Sequence, residues 1–557
     1  MINNQYPWTM KKFTDLPSAL IINHQSFFSS HVARLSQVCC CPLQGGEYVL
    51  ERTTPSPLAA LLLPGLGAVV FAVTLIQVLF LSQGAEGLFR DSDTGWHLRN
   101  GEAILNTATV PRVDGFSYTR NGRQWVAWEW LSDAVLGGAH RIAGLPGVAL
   151  LAALAIALTA WGAARLSLSL GGNLFFTAAA IVLLLGVTSI HWLARPHVFS
   201  WLVSLPFLWV AEHERRSPRR AIYGLPLLAC LWANLHGSFL LGPAILFLYA
   251  IGEWLGGGIS NREFRIANSR SAVKRGTRFA AACFACLLAT FINPYGWRLH
   301  EHVIAYLKNS YLMDHISEFR SFSFHSSGAL YVELFLLVGI LGAVAMLRQR
   351  AFGPALLTLG MLHLALYSAR HVPAAAVLLL PLSVAALSRE AEDWPRLRPL
   401  VDYSKRLRAI DRKIWGVVPI VLVLAGTLAG LATMAHAGRV GFNSAKFPVR
   451  AADFLEQHGL DDRVFTKDQW GGYLIYRFAG RTKVFMDGRS DFYGQDLLET
   501  YAQLVEVKPG WDAVLKRYDV RFVLVPPDHA LASVLQLSSD WKRVYADSVA
   551  DVFERVG

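Results

Sequence analysis

Long apolar runs separated by short polar stretches dominate the chain from residue 57 onward. They lie near 57-81, 147-167, 173-193, 197-211, 220-235, 238-255, 279-292, 329-347, 352-369, 372-388 and 414-434. Most approach the roughly 18 to 25 residues that cross about 30 Å of hydrocarbon as a helix, although 197-211 and 279-292 are short. The pattern predicts a mainly α polytopic membrane protein with about eleven transmembrane helices over 57-434. Beyond 434 the rhythm changes. "DDRVFTKD", "TKVFMDGRSD", "VRFVLVPP" and "WKRVYAD" read as short strands, and "VRAADFLEQHG" and "PGWDAVLKRY" as helices, so 435-557 is expected to be a small α/β domain outside the membrane. Residues 1-56 carry no apolar segment with a cleavage site and are expected to be a disordered cytoplasmic extension.

Charge sets the orientation. The chain is 53% hydrophobic and 17% charged, with a formal net charge of +12. Its basic residues cluster at 215-220 ("RRSPRR"), 262-278, 348-350 and 389-413, in every second gap between apolar runs. That asymmetry is the positive-inside signature and argues for a membrane partner, with no nucleic acid. It places the N-terminus in the cytoplasm. Two long loops, 82-146 and 293-328, then share the outer side with the polar region 435-557. The six cysteines form no disulfide framework: Cys39, Cys40 and Cys41 are consecutive, and Cys230, Cys283 and Cys286 sit in apolar runs. The CxxC of Cys283 and Cys286 lies in a membrane helix and reads as packing.

Polar residues then collect on one face. "FRDSDTGWHLRNGE" (89-102), "HWLARPH" (191-197), "WANLHGSF" (232-239), "INPYGWRLHEH" (292-302) and "YSARHVP" (367-373) all fall at outer span ends. Ionisable groups at membrane depth cost on the order of 2.5 to 3.5 kcal/mol each and face a cavity or a partner. Taken singly each has an ordinary reading: His197 or His236 as a helix-helix hydrogen-bond partner, Arg195 as an interfacial anchor, Arg370 and His371 as boundary charges. Together they set a cationic group, Arg195, His197, Arg370 and His371, opposite Asp91 and Asp93. Guanidinium groups bind phosphate oxygens bidentately. The carboxylates would polarise an attacking hydroxyl or bind a divalent metal.

This arrangement resembles the GT-C superfamily of integral-membrane glycosyltransferases. The shared plan is a cytoplasmic N-terminus, one span, an outer loop opening with Asp-x-Asp, many further spans and an outer α/β domain. "DSDTGWHLRNGEAIL", "RPHVFSW", "WANLHGSF", "NPYGW" and "RHVP" look most like a bacterial branch, and "HISEF" (315-319) and "DQWGGYLIY" (468-476) resemble, more distantly, signatures of oligosaccharyltransferase catalytic subunits. The second motif lacks the double Trp and the following Asp, which counts against peptide recognition. The resemblance implies an inverting transfer of a sugar from a polyprenyl-phosphate or polyprenyl-diphosphate donor to a glycan, lipid or protein acceptor. It places the reaction on the outer face of a bacterial inner membrane. It makes Asp93 or Asp91 the base or a metal ligand, with Asp93 slightly favoured. Arg195, His197, Arg370 and His371 would hold the donor phosphate. His97, Glu129, His236 and Trp470 would contact acceptor or substrate. Any divalent metal, Mg2+ or Mn2+, would sit on Asp91, Asp93 and Glu318.

Two other classes compete. A lipid-linked substrate transporter would also place cations at headgroup depth, but calls for polar residues at the midplane and broken helices in a repeat, neither of which the sequence displays. A non-catalytic component of glycan assembly requires the two aspartates to face away from any site.

Overall fold

The structure, a computed structural model, describes residues 56–258, 265–459 and 463–556. The expected N-terminal extension, apart from Ser56, and the Cys39 to Cys41 triplet lie outside the described residues. Seven helical segments are long and apolar enough to cross a membrane: Pro57–Phe80, Trp130–Ser169, Leu174–His191, Gly237–Gly258, Ala329–Arg348, Ala369–Glu392 and Val417–His436. This is a membrane protein. Arg220–Leu235 and Phe352–Tyr367 are apolar but shorter. The remaining two of the eleven expected runs, 197-211 and 279-292, lie largely in His197–Arg216 and Arg265–Ala289. Those helices continue into charged turns, where Glu212 pairs with Arg215 at 3.1 Å and Glu214 with Arg278 at 2.9 Å. By length and composition, seven of the described helical segments qualify as candidate spans.

Seven helices position the site: α1 (Leu66–Phe80), α2 (Asp93–Thr107), α3 (Trp130–Ser169), α4 (His197–Arg216), α5 (Val372–Glu392), α6 (Asp468–Arg477) and α7 (Ser490–Val505). Most of α5 is enclosed, with Val377, Leu378 and Leu379 fully buried. In α3 the alanines 149, 152, 153, 157, 160 and 164 are buried, and such small residues let neighbouring membrane helices approach closely. The helix is broken at Ala143 and Gly144, whose φ values are −143° and 60°, ahead of Pro146. Proline removes a backbone donor and crowds the preceding turn. The amphipathic first part, Trp130 to Ile142, is thereby separated from the apolar span that follows.

The C-terminal sheet has four strands, β1 (Val464–Thr466), β2 (Phe522–Val525), β3 (Trp541–Ala546) and β4 (Asp551–Arg555), in the order β1-β2-β4-β3. β1 and β2 are parallel and the other pairs antiparallel. Of the expected strand in "TKVFMDGRSD", only Val484 pairs, bridging both Val464 and Ser117. The 82-146 region thus adds a rung beside β1: the Tyr118 amide donates to the Val484 carbonyl at 3.1 Å, and the Val484 amide to the Phe116 carbonyl at 3.0 Å. Trp96, Trp125 and Ala127 from that region share a core with Trp470, Tyr473, Leu474 and Phe478.

A buried ion network fastens the same junction. Arg489 donates to both oxygens of Asp487 at 2.8 and 2.7 Å and to Asp114 at 2.9 Å. Its guanidinium lies 4.7 Å from the Trp125 ring centre and 5.3 Å from that of Phe116. The Tyr493 hydroxyl donates to Asp487 at 2.8 Å.

Candidate active site

The acidic stretch is shaped by its neighbours on both sides. Arg90 donates to the carbonyls of Ile190 at 2.6 Å, Trp192 at 3.1 Å, Gly87 at 3.2 Å and Ser189 at 3.3 Å. The Ala194 amide donates to the Leu88 carbonyl at 2.9 Å, and the Thr94 hydroxyl returns a bond to the Ala194 carbonyl at 3.2 Å. Residues 88–94 and 189–195 are therefore stapled together, a consequence of satisfying backbone carbonyls where regular structure ends. That staple brings Arg195 to the two aspartates.

Arg195 is the centre of the cluster. Its Nη1 lies 2.7 Å from Asp91 Oδ2 and 3.1 Å from Glu318 Oε1, and its Nη2 lies 2.9 Å from Asp93 Oδ2. Arg370 approaches the other oxygen of Glu318 at 3.8 Å and rests over the Phe319 ring at 5.2 Å. The Ser368 hydroxyl donates to the Glu318 carbonyl at 3.0 Å and the Ala369 amide to the Arg320 carbonyl at 2.9 Å. Residues 91–93 and 318, far apart in sequence, thus meet around the Arg195 guanidinium, with 368–370 packed against 318–320. Burial pushes the Asp93 carboxyl up to about 8, against the pull of Arg195 and with the help of Asp91 and Glu318. Burial also raises Glu318, but Arg195 and Arg370 outweigh it and hold that carboxyl below its usual range.

The C-terminal region completes the enclosure. A Cβ at Gly488 would stand 1.9 Å from Asp93 Oδ1, so only glycine leaves room for this carboxylate. Gly95 and Gly472 make a backbone-to-backbone approach: a Cβ on Gly95 would meet the Gly472 carbonyl at 2.1 Å, and one on Gly472 the Ser92 carbonyl at 2.3 Å.

A second polar chain runs alongside. His97 Nδ1 and Asn100 Nδ2 each lie 2.6 Å from an Asp133 oxygen. With Asp133 accepting, Nδ1 carries the proton, and His97 Nε2 faces Glu129 at 3.7 Å. The other Glu129 oxygen lies 3.2 Å from His236 Nε2, and His236 Nδ1 is 2.8 Å from the Ser238 hydroxyl. Burial pushes Glu129 up to about 7, with His97 opposing, and pushes His97 down to about 3.

Of the residues singled out from sequence, Asp91, Asp93, Glu318, Arg195 and Arg370 meet in the first cluster, and His97, Glu129 and His236 in the second. His197 lies behind the first cluster, its Nε2 2.8 Å from the His191 carbonyl and its ring 5.1 Å from Trp201. His371 follows Arg370 at the start of α5, with its Nδ1 buried and unpaired. Trp470 is not brought to either cluster: it is 2% exposed, and its indole donates to the Lys446 carbonyl at 3.0 Å. Asp133, Asn100, Arg90 and Gly488 were missed; "Glu-Trp-Leu-Ser-Asp" on the amphipathic start of α3 was the available signal for Asp133. Among the described residues no group of three or more His, Cys, Asp or Glu side chains is placed to hold a metal ion. Asp91, Asp93 and Glu318 each place one oxygen on the Arg195 guanidinium.

No protein-family model and no curated protein matches the sequence. Solved structures do match the fold. The chain is similar to the oligosaccharyltransferase of Archaeoglobus fulgidus in its apo form, with 12% identity over 82% of this chain and 69% of that one, at a TM-score of 0.51. The A. fulgidus oligosaccharyltransferase AglB in complex with an inhibitory peptide and a dolichol-phosphate gives 11% identity over 88% and 74%, at 0.52. ArnT from Cupriavidus metallidurans gives 12% identity over 88% and 96%, at 0.46. At these identities the likeness to the two oligosaccharyltransferase structures is one of fold.

Proposed function

We propose that this protein is an inverting glycosyltransferase of a bacterial inner membrane. It moves a sugar from a polyprenyl-phosphate or polyprenyl-diphosphate donor to a glycan, lipid or protein acceptor on the outer face. The observation that carries the reading is the convergence of Asp91, Asp93 and Glu318 on Arg195, with Arg370 beside it, in a chain of oligosaccharyltransferase-like fold. The A. fulgidus enzyme was captured with a dolichol-phosphate, which supports the donor class.

In this reading the acceptor oxygen attacks the anomeric carbon from the face opposite the phosphate. Its proton passes to Asp93, or to Asp91, and the bond from the anomeric carbon to the phosphate oxygen breaks with its electrons leaving on phosphate. A base works best when its pKa lies near the operating pH, and the raised Asp93 carboxyl suits that task. Arg195 is committed to three carboxylates, so its part is to fix their geometry. Arg370 and His371 are left to meet the charge that develops on the departing phosphate, a large share of such catalysis. Glu129, His97 and His236 contact the acceptor; His197 supports the turn beneath Arg195.

The test is reconstitution of the full chain in liposomes with a panel of polyprenyl-phosphate and polyprenyl-diphosphate sugars, read by mass analysis of acceptors. Transfer that vanishes in Asp93→Asn or Asp91→Asn is the expected result. Undiminished transfer in both variants overturns the mechanism, and loss of no surface glycan on deletion of the chain overturns the function.

A further inference from the structure

We propose that the Arg195 guanidinium is the resident cation of this site, filling the place among Asp91, Asp93 and Glu318 that a divalent metal ion would otherwise need. The inference deepens the glycosyl-transfer reading and rests on it for its catalytic meaning.

The geometry is the first argument. A hard divalent ion gathers oxygens onto one point, at about 2.0 to 2.6 Å from its centre. Here the oxygens are fanned along a planar fork instead: Asp91 and Glu318 on Nη1 at 2.7 and 3.1 Å, Asp93 on Nη2 at 2.9 Å. The spacing between carboxylates is thus set by the width of a guanidinium. Charge is the second argument. An ion added beside Arg195 would meet two guanidinium groups, Arg195 and Arg370, both already on Glu318. The backbone supplies the third. Arg195 stands between Ala194, pinned to Leu88 and Thr94, and Pro196, which opens α4. It has little freedom to swing out and admit an ion, and its side chain is only 14% exposed.

A guanidinium does not deprotonate in proteins. The positive charge that orients the carboxylates is therefore covalent and permanent, and chelators have nothing to remove.

The experiment is Mn2+ titration of the purified full chain in detergent, with the free aqueous ion followed by its paramagnetic resonance signal. Wild type is expected to take up no Mn2+ that depends on Asp93. Arg195→Gln, which empties the centre of three carboxylates, is expected to gain one Mn2+ per chain at concentrations where wild type takes up none, and Arg195→Gln with Glu318→Gln to lose it again. One Mn2+ bound by wild type and lost in Asp93→Asn overturns the inference, as does a folded Arg195→Gln chain that gains nothing. The comparison of wild type with Asp93→Asn decides the matter even if Arg195→Gln fails to fold. Because no sugar is involved, absence of transfer with this binding pattern intact would sink the proposed function and leave the resident cation standing.

Discussion

Two buried arginines organise this protein, and they are surrounded differently. Around Arg489, two aspartates face one guanidinium, and their oxygens are taken up by side chains and by the amides of Phe116, Ser117 and Arg489. All of it is closed off, with Arg489 1% and both aspartates 0% exposed. Around Arg195, three carboxylates meet one guanidinium, Glu318 also reaches Arg370, and Asp91 and Glu318 keep 25% and 27% of their side-chain surface. The dry, closed network is a fastener. The cluster with access to solvent is the one placed to meet a substrate. An arginine among acids alone therefore says little; the exposure of those acids separates the two environments.

The sharpest way to break this contrast is to remove one charge from each cluster. Asp93→Asn is expected to lower transfer by about 10²- to 10⁴-fold, the range for a general base, with an unchanged melting temperature in detergent. Equal losses of activity and stability would put Asp93 in the same class as Asp487. Arg489→Met should do the reverse. It strands Asp487 and Asp114 without their charge partner, and a broken buried pair costs about 3 to 5 kcal/mol, read as a fall in unfolding temperature.

Gly488→Ala tests whether the open cluster depends on placement. The new methyl must displace the Asp93 carboxylate, and a misplacement of about 1 Å costs on the order of 10²-fold in rate. Transfer should fall while the unfolding temperature moves little.

The smallest effect concerns pH and the second chain. Glu129, raised from 4.5 to about 7, binds more protons folded than unfolded, so it makes stability fall as pH rises through that window. His97, lowered from 6.5 to about 3, binds fewer, so it makes stability rise with pH between those values. The two oppose each other where the windows overlap. Glu129→Gln removes one side, and its melting temperature should climb more steeply than wild type between pH 4.5 and 6.5. A profile parallel to wild type would show that Glu129 does not titrate there.

Much of this was legible before any coordinates. Apolar runs declare themselves because lipid demands length. Asp91, Asp93, Arg195 and Arg370 stood out because charge at span ends is costly. Their pairing did not, since the bonds of Arg90, Leu88 and Thr94 that bring Arg195 onto Asp91 follow no spacing rule. Arg195, read from sequence as a phosphate ligand, is paired with acids in the structure. Trp470, singled out by a motif likeness, lies in the core with Tyr473. Gly488 was invisible because its contribution is the absence of a side chain beside a residue distant in sequence.

The approach of Gly95 to Gly472, and of Gly488 to Asp93, carries a consequence for biogenesis. The aspartates are made early, but the wall beside them is made late. A nascent chain holds an unfinished site until the segment around Gly488 has emerged and docked. In the proposed reading, emergence of that segment is the step that arms the site.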